Sequence, residues 1–239
     1  MILVDPLARP VIAHRGASGL FPENTLLAFQ KAIELGADAI ELDVRVAADG
    51  IPVVIHDSTV DRTTDGVGVV GAMHCDAIKE LNAGGGETIS KLETVLEATE
   101  GTPLFVEIKD RQGGPVVAET IRAGGADRRV LVGSFESEPL VGVRAAGMST
   151  TASSGEARWF WIGSRLGWSG TGGRYDAFSL PEYRGRLRVV DDRLVRVAAR
   201  IGRPVHVWTV DDLETARRLR SYGVAGILTN FPDRMRALG

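Results

Sequence analysis

Cysteine occurs once in 239 residues, at Cys75, so the chain can close no internal disulfide and can build no cysteine-based zinc site. This suits a reducing cytosol, and a cytoplasmic location is expected. Lysine is nearly as scarce, at positions 31, 79, 91 and 109 only, so each can be weighed singly. Neither charge dominates: 28 basic against 31 acidic side chains leave a net charge of −3, which gives no general attraction for nucleic acid or an anionic membrane. Any anionic ligand must be held by a local arrangement. No segment approaches about 18 consecutive apolar residues, and Met1–Pro10 lacks a basic region followed by an apolar stretch. Neither a stable membrane insertion nor an export signal is therefore expected. Nothing in these patterns indicates an oligomeric state.

What is present suits a large packed core: 44% hydrophobic and 25% charged residues are the balance of a globular protein. At about 30 residues per strand-plus-helix unit, the length allows roughly eight units. Short β-rich runs fall near 10–15, 39–46, 103–109, 129–134, 150–153, 176–180, 204–210 and 226–229. Helical patterns near 24–35, 92–100, 115–124, 137–147, 157–166, 191–202, 212–223 and 232–238 lie between or after them. Asn24-Thr25 and Asp211-Asp212 read as helix starts, Gly36 and Gly223 as stops. Strand alternating with helix and no break in composition predicts one (β/α)₈ TIM barrel spanning 1–239, with a small insertion at 57–91 after the second strand.

On a strand, residues i and i+2 share a face. Glu41 and Asp43 thus point inward while Ile40, Leu42 and Val44 face the helices, and Glu107 and Lys109 repeat the device on strand three. Inward carboxylates are costly unless paired, protonated or bound to a cation. Two arrangements satisfy this pattern: a bound metal, or a salt-bridged network of Glu41, Asp43, Arg45 and Lys109. The Asp49-Gly50 dipeptide predicts a hairpin turn; with Ala48 opposite Ile51, His56 falls opposite Asp43, and a bulge would shift that register by one. His14 ends the first strand, at the barrel end where such folds keep their chemistry, with Arg15 and Gly16 following. Either a structural or a catalytic role fits His14 alone. Two histidines beside three carboxylates suit phosphodiester cleavage, which needs a base, an acid and cations for the phosphate. His206 alternates with Trp208 on strand seven and reads as structural; His74 and Cys75 read as incidental.

Five ordered segments carry a family resemblance: His14-Arg15-Gly16 with Pro22-Glu23-Asn24-Thr25; Glu41-Leu42-Asp43-Val44 with Asp49 through Asp57; Val106-Glu107-Ile108-Lys109; Val207-Trp208-Thr209-Val210; and Leu228-Thr229-Asn230-Phe231-Pro232. In these the sequence resembles the glycerophosphodiester phosphodiesterase family. The resemblance implies a TIM-barrel phosphoric diester hydrolase acting on a small glycerophosphodiester substrate. It implies one divalent cation, Mg²⁺ or Ca²⁺, on Glu41, Asp43 and Glu107, a set of oxygen donors that suits hard ions. It also implies His14 and His56 as the acid–base pair, Arg15 and Lys109 as phosphate ligands, and Trp208 as a wall of the substrate pocket. The products would be glycerol 3-phosphate and an alcohol, formed through a cyclic phosphate.

Three alternatives are weighed against this: a lysophospholipase D-like or lyase activity on lipid phosphodiesters, a non-catalytic phosphate-ester-binding protein, and a Schiff-base aldolase using Lys109. Where relatives carry Ile-Pro-Thr-Leu, this chain has Ile89-Ser90-Lys91-Leu92, so its substrate contacts around 80–91 are its own. Trp159, Phe160, Trp161 and Trp168 suit either the entrance after strand five or helix packing. With 57–91 as the only extra material, a fairly open site for small, soluble diesters is expected.

Overall fold

The computed structural model describes residues 1–167 and 173–238. Its parallel strands are β1 (Val11–His14), β2 (Ala39–Val46), β6 (Leu104–Ile108), β7 (Val130–Gly133), β8 (Phe178–Pro181), β11 (Val205–Trp208) and β12 (Gly226–Thr229). They pair in the order β7-β6-β2-β1-β12-β11-β8. β3 (Pro52–Val54) returns antiparallel on β2, and two small hairpins, β4 (Asn82–Gly84) with β5 (Glu87–Thr88) and β9 (Tyr183–Arg184) with β10 (Leu187–Arg188), stand apart. The helices are α1 (Leu26–Glu34), α2 (Cys75–Ile78), α3 (Leu92–Ala98), α4 (Gly114–Ala123), α5 (Ser137–Ala145), α6 (Ser154–Leu166), α7 (Asp192–Arg200), α8 (Leu213–Ser221) and α9 (Pro232–Met235). None of the described helices is long and apolar enough to cross a membrane.

The expected fifth strand is reduced to two parallel bridges, Val132 to Thr150 and Thr151 to Ala177. Backbone bonds across them (Thr151 N–H to Val132 O, 2.9 Å; Ala152 N–H to Ala177 O, 2.9 Å) nevertheless close the barrel between β7 and β8. The strand stops because the next residue, Ser153, starts α6 through a capping box with Glu156.

The alternation on β2 and β6 is as expected. Ile40, Leu42, Val44, Leu104, Val106 and Ile108 pack outward against Phe29, Val95, Val117 and Leu140 of the helical layer. A second outer layer joins Phe178, Val205, Val207 and Ile227 to α7 and α8. Inside the barrel, Phe105, Ile12, Leu131 and Leu228 meet Leu3, which belongs to a 3-10 turn at Ile2–Val4. The 57–91 insertion holds its own small core of Val60, Val70, Cys75, Ile78 and Ile89, so Cys75 is a packing residue. Its glycine run folds into the β4–β5 turn, with Gly84, Gly85 and Gly86 at φ +94°, +64° and +85°.

This insertion is not the sole excursion, as the sequence had suggested. The β9–β10 hairpin is a second, fixed by Glu182, whose carbonyl accepts from the Val189 amide (2.8 Å) and whose carboxylate accepts from Arg218 (2.6 Å).

His206 is structural, as expected: it is fully buried and its Nε2 donates to Leu3 O at 2.7 Å. Burial, only partly offset by that bond, pushes its pKa from 6.5 down to about 4. The unfolded chain therefore binds the extra proton first. The stability tied to the neutral ring is complete above pH 6.5 and drains away as pH falls toward 4, by about 3 kcal/mol. In urea unfolding at pH 7 and pH 4.5, the stability gap between wild type and His206→Gln is expected to narrow by roughly that amount. An unchanged gap would contradict it.

Candidate active site

Sheet register assembles the acidic cluster. His14 lies beside Glu41, and Asp43 beside Glu107. Glu41, Asp43 and Glu107 bring one carboxylate oxygen each to within 4.8 Å of one another. The first two are only 2% and 1% exposed. Lys109 Nζ bridges Asp43 Oδ1 (2.8 Å) and Glu107 Oε1, and Arg15 Nε lies 3.1 Å from Asp43 Oδ2. Among the described residues, Glu41 accepts only from the Arg15 backbone N–H, at 3.0 Å. The carboxylates diverge accordingly. Burial, with Asp43 and Glu107 beside it, pushes Glu41 well up; Asp43 would also rise by burial, but Lys109 and Arg15 hold it below its ordinary value. Burial raises Glu107 against the pull of Lys109. Three carboxylates against two cationic side chains leave one carboxyl in excess, buried and without a cation of its own. That excess, with an all-oxygen donor set, fits a hard divalent cation.

Arg45 does not belong to the cluster, contrary to the network considered from sequence. Its guanidinium takes Asp110 (2.7 Å) and the His56 carbonyl (2.9 Å). Lys109 is raised, since Asp43 and Glu107 outweigh its burial, so it stays an ammonium and is unsuited to Schiff-base chemistry.

Both histidines are oriented through Nδ1. His14 Nδ1 meets Asn230 Oδ1 at 2.8 Å, and the Asn230 amide is set by Asp211, which accepts from its Nδ2 (2.7 Å) and its backbone N–H (2.8 Å). A carboxylate accepts only, so Nδ2 faces Asp211, Oδ1 faces His14, and the proton sits on His14 Nδ1. The lone pair of Nε2 is then turned toward Glu41 Oε2, 4.0 Å away. Burial is the main cause that lowers the His14 pKa, with Asn230 opposing it, which favours the neutral ring. His56 Nδ1 meets Asp57 Oδ1 at 2.6 Å, and Arg62 holds Asp57 Oδ2 at 2.6 Å. Arg62 also binds Glu23 (2.8 Å), which binds Arg15 (2.9 Å), tying the insertion to the β1–α1 loop.

The predicted hairpin exists with its register shifted by one. Val44 faces Val54 and Arg45 faces Val53, so Asp43 meets Ile55, whose N–H it accepts at 3.0 Å, and not His56. The cause is a three-residue loop, with Gly50 at φ +80° supplying the bulge. His56 follows Ile55 directly, one residue beyond the position paired with Asp43, and its carbonyl accepts from Arg45 Nε at 2.9 Å.

The sequence assigns no site role to Asn230, Arg62 or Asp57, and marks Asn24 and Asp211 only as helix starts. Asp211 read as a helix start, yet Asp212 caps α8 and Asp211 is left to hold Asn230. Asn24 binds Asp43 twice, Nδ2 to Oδ2 at 2.9 Å and Oδ1 from N–H at 3.2 Å. Asn24 and Arg15, at φ +59° and +56°, are the non-glycine residues in left-handed backbone among the described residues, a strain concentrated at the cluster.

Trp208 packs edge-on to Phe135 at 5.8 Å, and Lys109 lies 5.5 Å over the Phe135 ring. Both aromatics line a cavity of about 870 Å³ that begins at Glu107. The expected aromatic cluster divides: Trp161 lines this cavity, Phe160 packs on Phe178 (4.4 Å), Trp159 is exposed, and Trp168 lies outside the described residues.

A family model described as the glycerophosphoryl diester phosphodiesterase family matches residues 14–234. The glycerophosphodiester phosphodiesterase of Caldanaerobacter subterraneus subsp. tengcongensis is 37% identical, covering 93% of this chain and 94% of that protein. The crystal structure of a glycerophosphodiester phosphodiesterase from Agrobacterium tumefaciens superposes with a TM-score of 0.79 at 30% identity, over 96% of this chain and 99% of that one. An Oleispira antarctica phosphodiesterase, solved with the product sn-glycerol-3-phosphate, gives a TM-score of 0.79 at 25% identity, over 96% of each chain.

Two measurements check this geometry. Nitrogen-15 NMR of metal-free protein at pH 7 is expected to find His14 neutral with its proton on Nδ1, and a tautomer mixture in Asn230→Ala; an unaltered spectrum in the variant would refute the relay. Saturating Mg²⁺ or Ca²⁺, at 100 times Kd, should stabilise the wild type by about 2.7 kcal/mol in thermal unfolding. In Glu41→Gln that gain should vanish, and an equal gain in the variant would place the ion elsewhere.

Proposed function

We propose, from the premise that this chain belongs to the glycerophosphoryl diester phosphodiesterase family and is a phosphoric diester hydrolase, that it cleaves glycerophosphodiesters to glycerol 3-phosphate and an alcohol at the Glu41–Asp43–Glu107 cluster. The observation that carries this reading is the buried excess carboxylate with His14 4.0 Å from Glu41 and His56 one residue beyond the position paired with Asp43, each ring oriented through Nδ1. Glu41, Asp43 and Glu107 would hold one divalent cation, Mg²⁺ or Ca²⁺. Such an ion supplies charge neutralisation at the phosphoryl oxygens.

His14 and His56 share the proton traffic. As the glycerol 2-hydroxyl attacks phosphorus, one imidazole takes its proton. The other gives a proton to the departing alcohol oxygen as the phosphorus–oxygen bond breaks. The cyclic phosphate formed is opened by water with the two roles reversed, leaving glycerol 3-phosphate. Arg15 and Lys109 offer the cationic groups for the phosphate, drawing on side chains now engaged with Asp43, Glu23 and Glu107. Trp208 walls the side facing the cavity.

The sn-glycerol-3-phosphate bound to the Oleispira antarctica neighbour supports this product class. A small glycerophosphodiester is the proposed partner and the cytoplasm the proposed location.

Purified protein is expected to release glycerol 3-phosphate from glycerophosphocholine, to lose that activity in EDTA and to regain it with Mg²⁺ or Ca²⁺. His14→Ala and His56→Ala should each lower kcat by about 10²- to 10⁴-fold. Phosphorus NMR should detect the cyclic phosphate under single turnover. A folded, metal-loaded protein that turns over none of a panel of glycerophosphodiesters would overturn the reading.

A further inference from the structure

Several of the large apolar side chains that stay exposed lie on two adjoining elements. Along α6, Trp159, Ile162 and Leu166 recur at i, i+3 and i+7 and so share one stripe, and Trp159 and Leu166 are 63% and 79% exposed. On the β9–β10 hairpin, Tyr183 and Leu187 stand about half exposed on either side of the turn. The two elements are neighbours: Trp161 Nε1 donates to Val189 O at 3.1 Å, and Ile162, Tyr183 and Leu187 line the same cavity. A single exposed apolar side chain is ordinary, but a set gathered on adjoining elements marks a contact surface.

Charge gives that surface a sign. Arg158 on α6 and Arg184 and Arg186 at the hairpin turn are exposed, and none meets a carboxylate within ion-pair distance among the described residues. Their neighbours do: Arg165 pairs with Asp191 and Arg188 with Glu182. The acids of the two segments, Glu156 and Glu182, are already taken by Arg144 and Arg218, at 2.8 and 2.6 Å. A protein of net charge −3 thus carries a local patch with three unneutralised positive charges among aromatic and aliphatic side chains. A second copy of the chain docked through this same face would set these arginines against their own copies. An anionic lipid surface accommodates both chemistries, because tryptophan, tyrosine and leucine enter the interfacial layer while guanidinium groups bind phosphate. The hairpin needs little ordering on contact, since Glu182 is held by Arg218 and Arg188 reaches the Tyr222 hydroxyl at 3.1 Å.

The geometry points to a peripheral docking surface: α6 and the β9–β10 hairpin rest on the headgroups of an anionic bilayer, with the rim of the cavity that begins at Glu107 turned toward it. The contact is reversible and superficial, in keeping with described helices that are not long and apolar enough to cross a membrane. The surface is independent of the hydrolase reading, since binding to it is measured without turnover. On that reading it also has a use. Small glycerophosphodiesters are what phospholipids become once both acyl chains are removed, so docking holds the enzyme where deacylation supplies its substrate.

Flotation of the full chain with vesicles of phosphatidylcholine alone, and with vesicles of equal parts phosphatidylcholine and phosphatidylglycerol, tests this. Binding is expected to the anionic vesicles at low salt, to weaken as salt is raised, and to be slight on phosphatidylcholine. Arg184→Gln combined with Arg186→Gln should weaken it by about twenty-five-fold, at roughly fivefold per arginine. Arg184→Lys combined with Arg186→Lys should preserve it. Trp159→Ser should weaken it by about tenfold, in protein whose circular dichroism matches the wild type. No binding to the anionic vesicles at low salt, or binding unaltered by both the glutamine pair and Trp159→Ser, would overturn the proposal. A dimer in sedimentation equilibrium that Trp159→Ser dissociates would give the surface to a second copy and overturn it too. Equally strong, salt-sensitive binding to polyglutamate would give it to an acidic chain, with the same result.

Discussion

Three carboxylates from adjacent barrel strands share one largely buried space, and their mutual repulsion is the constraint around which the rest of the site is arranged. A single buried carboxylate is costly; three within one hydrogen-bonded cluster would drive protons onto themselves unless positive charge is brought to them. Lys109 and Arg15 bring two such charges, and Asn24 adds an amide donor. These hold Asp43 as an anion but leave Glu41 wanting a cation. Sheet register fixes the backbone positions from which the three carboxylates project, so the fold itself brings them together.

The same constraint organises the surrounding loops. Arg15 reaches Asp43 because its backbone adopts a left-handed conformation directly after β1, and that turn is held by the Asn24 N–H bonding to Arg15 O at 3.1 Å. Arg15 also recruits Glu23, Glu23 recruits Arg62, and Arg62 recruits Asp57, which orients His56. A chain of alternating charges thus runs from the cluster out to the insertion and back to a histidine. On the opposite flank, Asp211 and Asn230 orient His14 with no cation, so the two histidines sit in different electrostatic settings although each is anchored through Nδ1.

Much of this was legible in the sequence, because period-two alternation is a strict rule. Glu41-Leu42-Asp43 and Glu107-Ile108-Lys109 declare which side chains enter the barrel whatever the surrounding loops do. What was not legible depends on geometry beyond a strand. A three-residue loop at Gly50 shifted the hairpin by one position, and the Asp-Gly signal alone does not distinguish it from a two-residue turn. Asp211 and Asp212 are chemically identical neighbours, and only the fold decides that one caps a helix while the other sets the Asn230 amide. Thr150 and Thr151 carry strand propensity, but the Ser153 capping box ends the strand almost as it begins. The β9–β10 hairpin is too short for any periodic signal, yet it walls the cavity beside the cluster.

The central claim is that Glu41, Asp43 and Glu107 form a cation site and not a self-contained ion-pair network. Diffraction from crystals soaked in Mn²⁺, with anomalous scattering recorded at the manganese edge, tests it most directly. The account predicts one anomalous peak bonded to all three carboxylates, with Lys109 displaced from its bridge between Asp43 and Glu107. No peak there at saturating Mn²⁺, with that bridge intact, would contradict it.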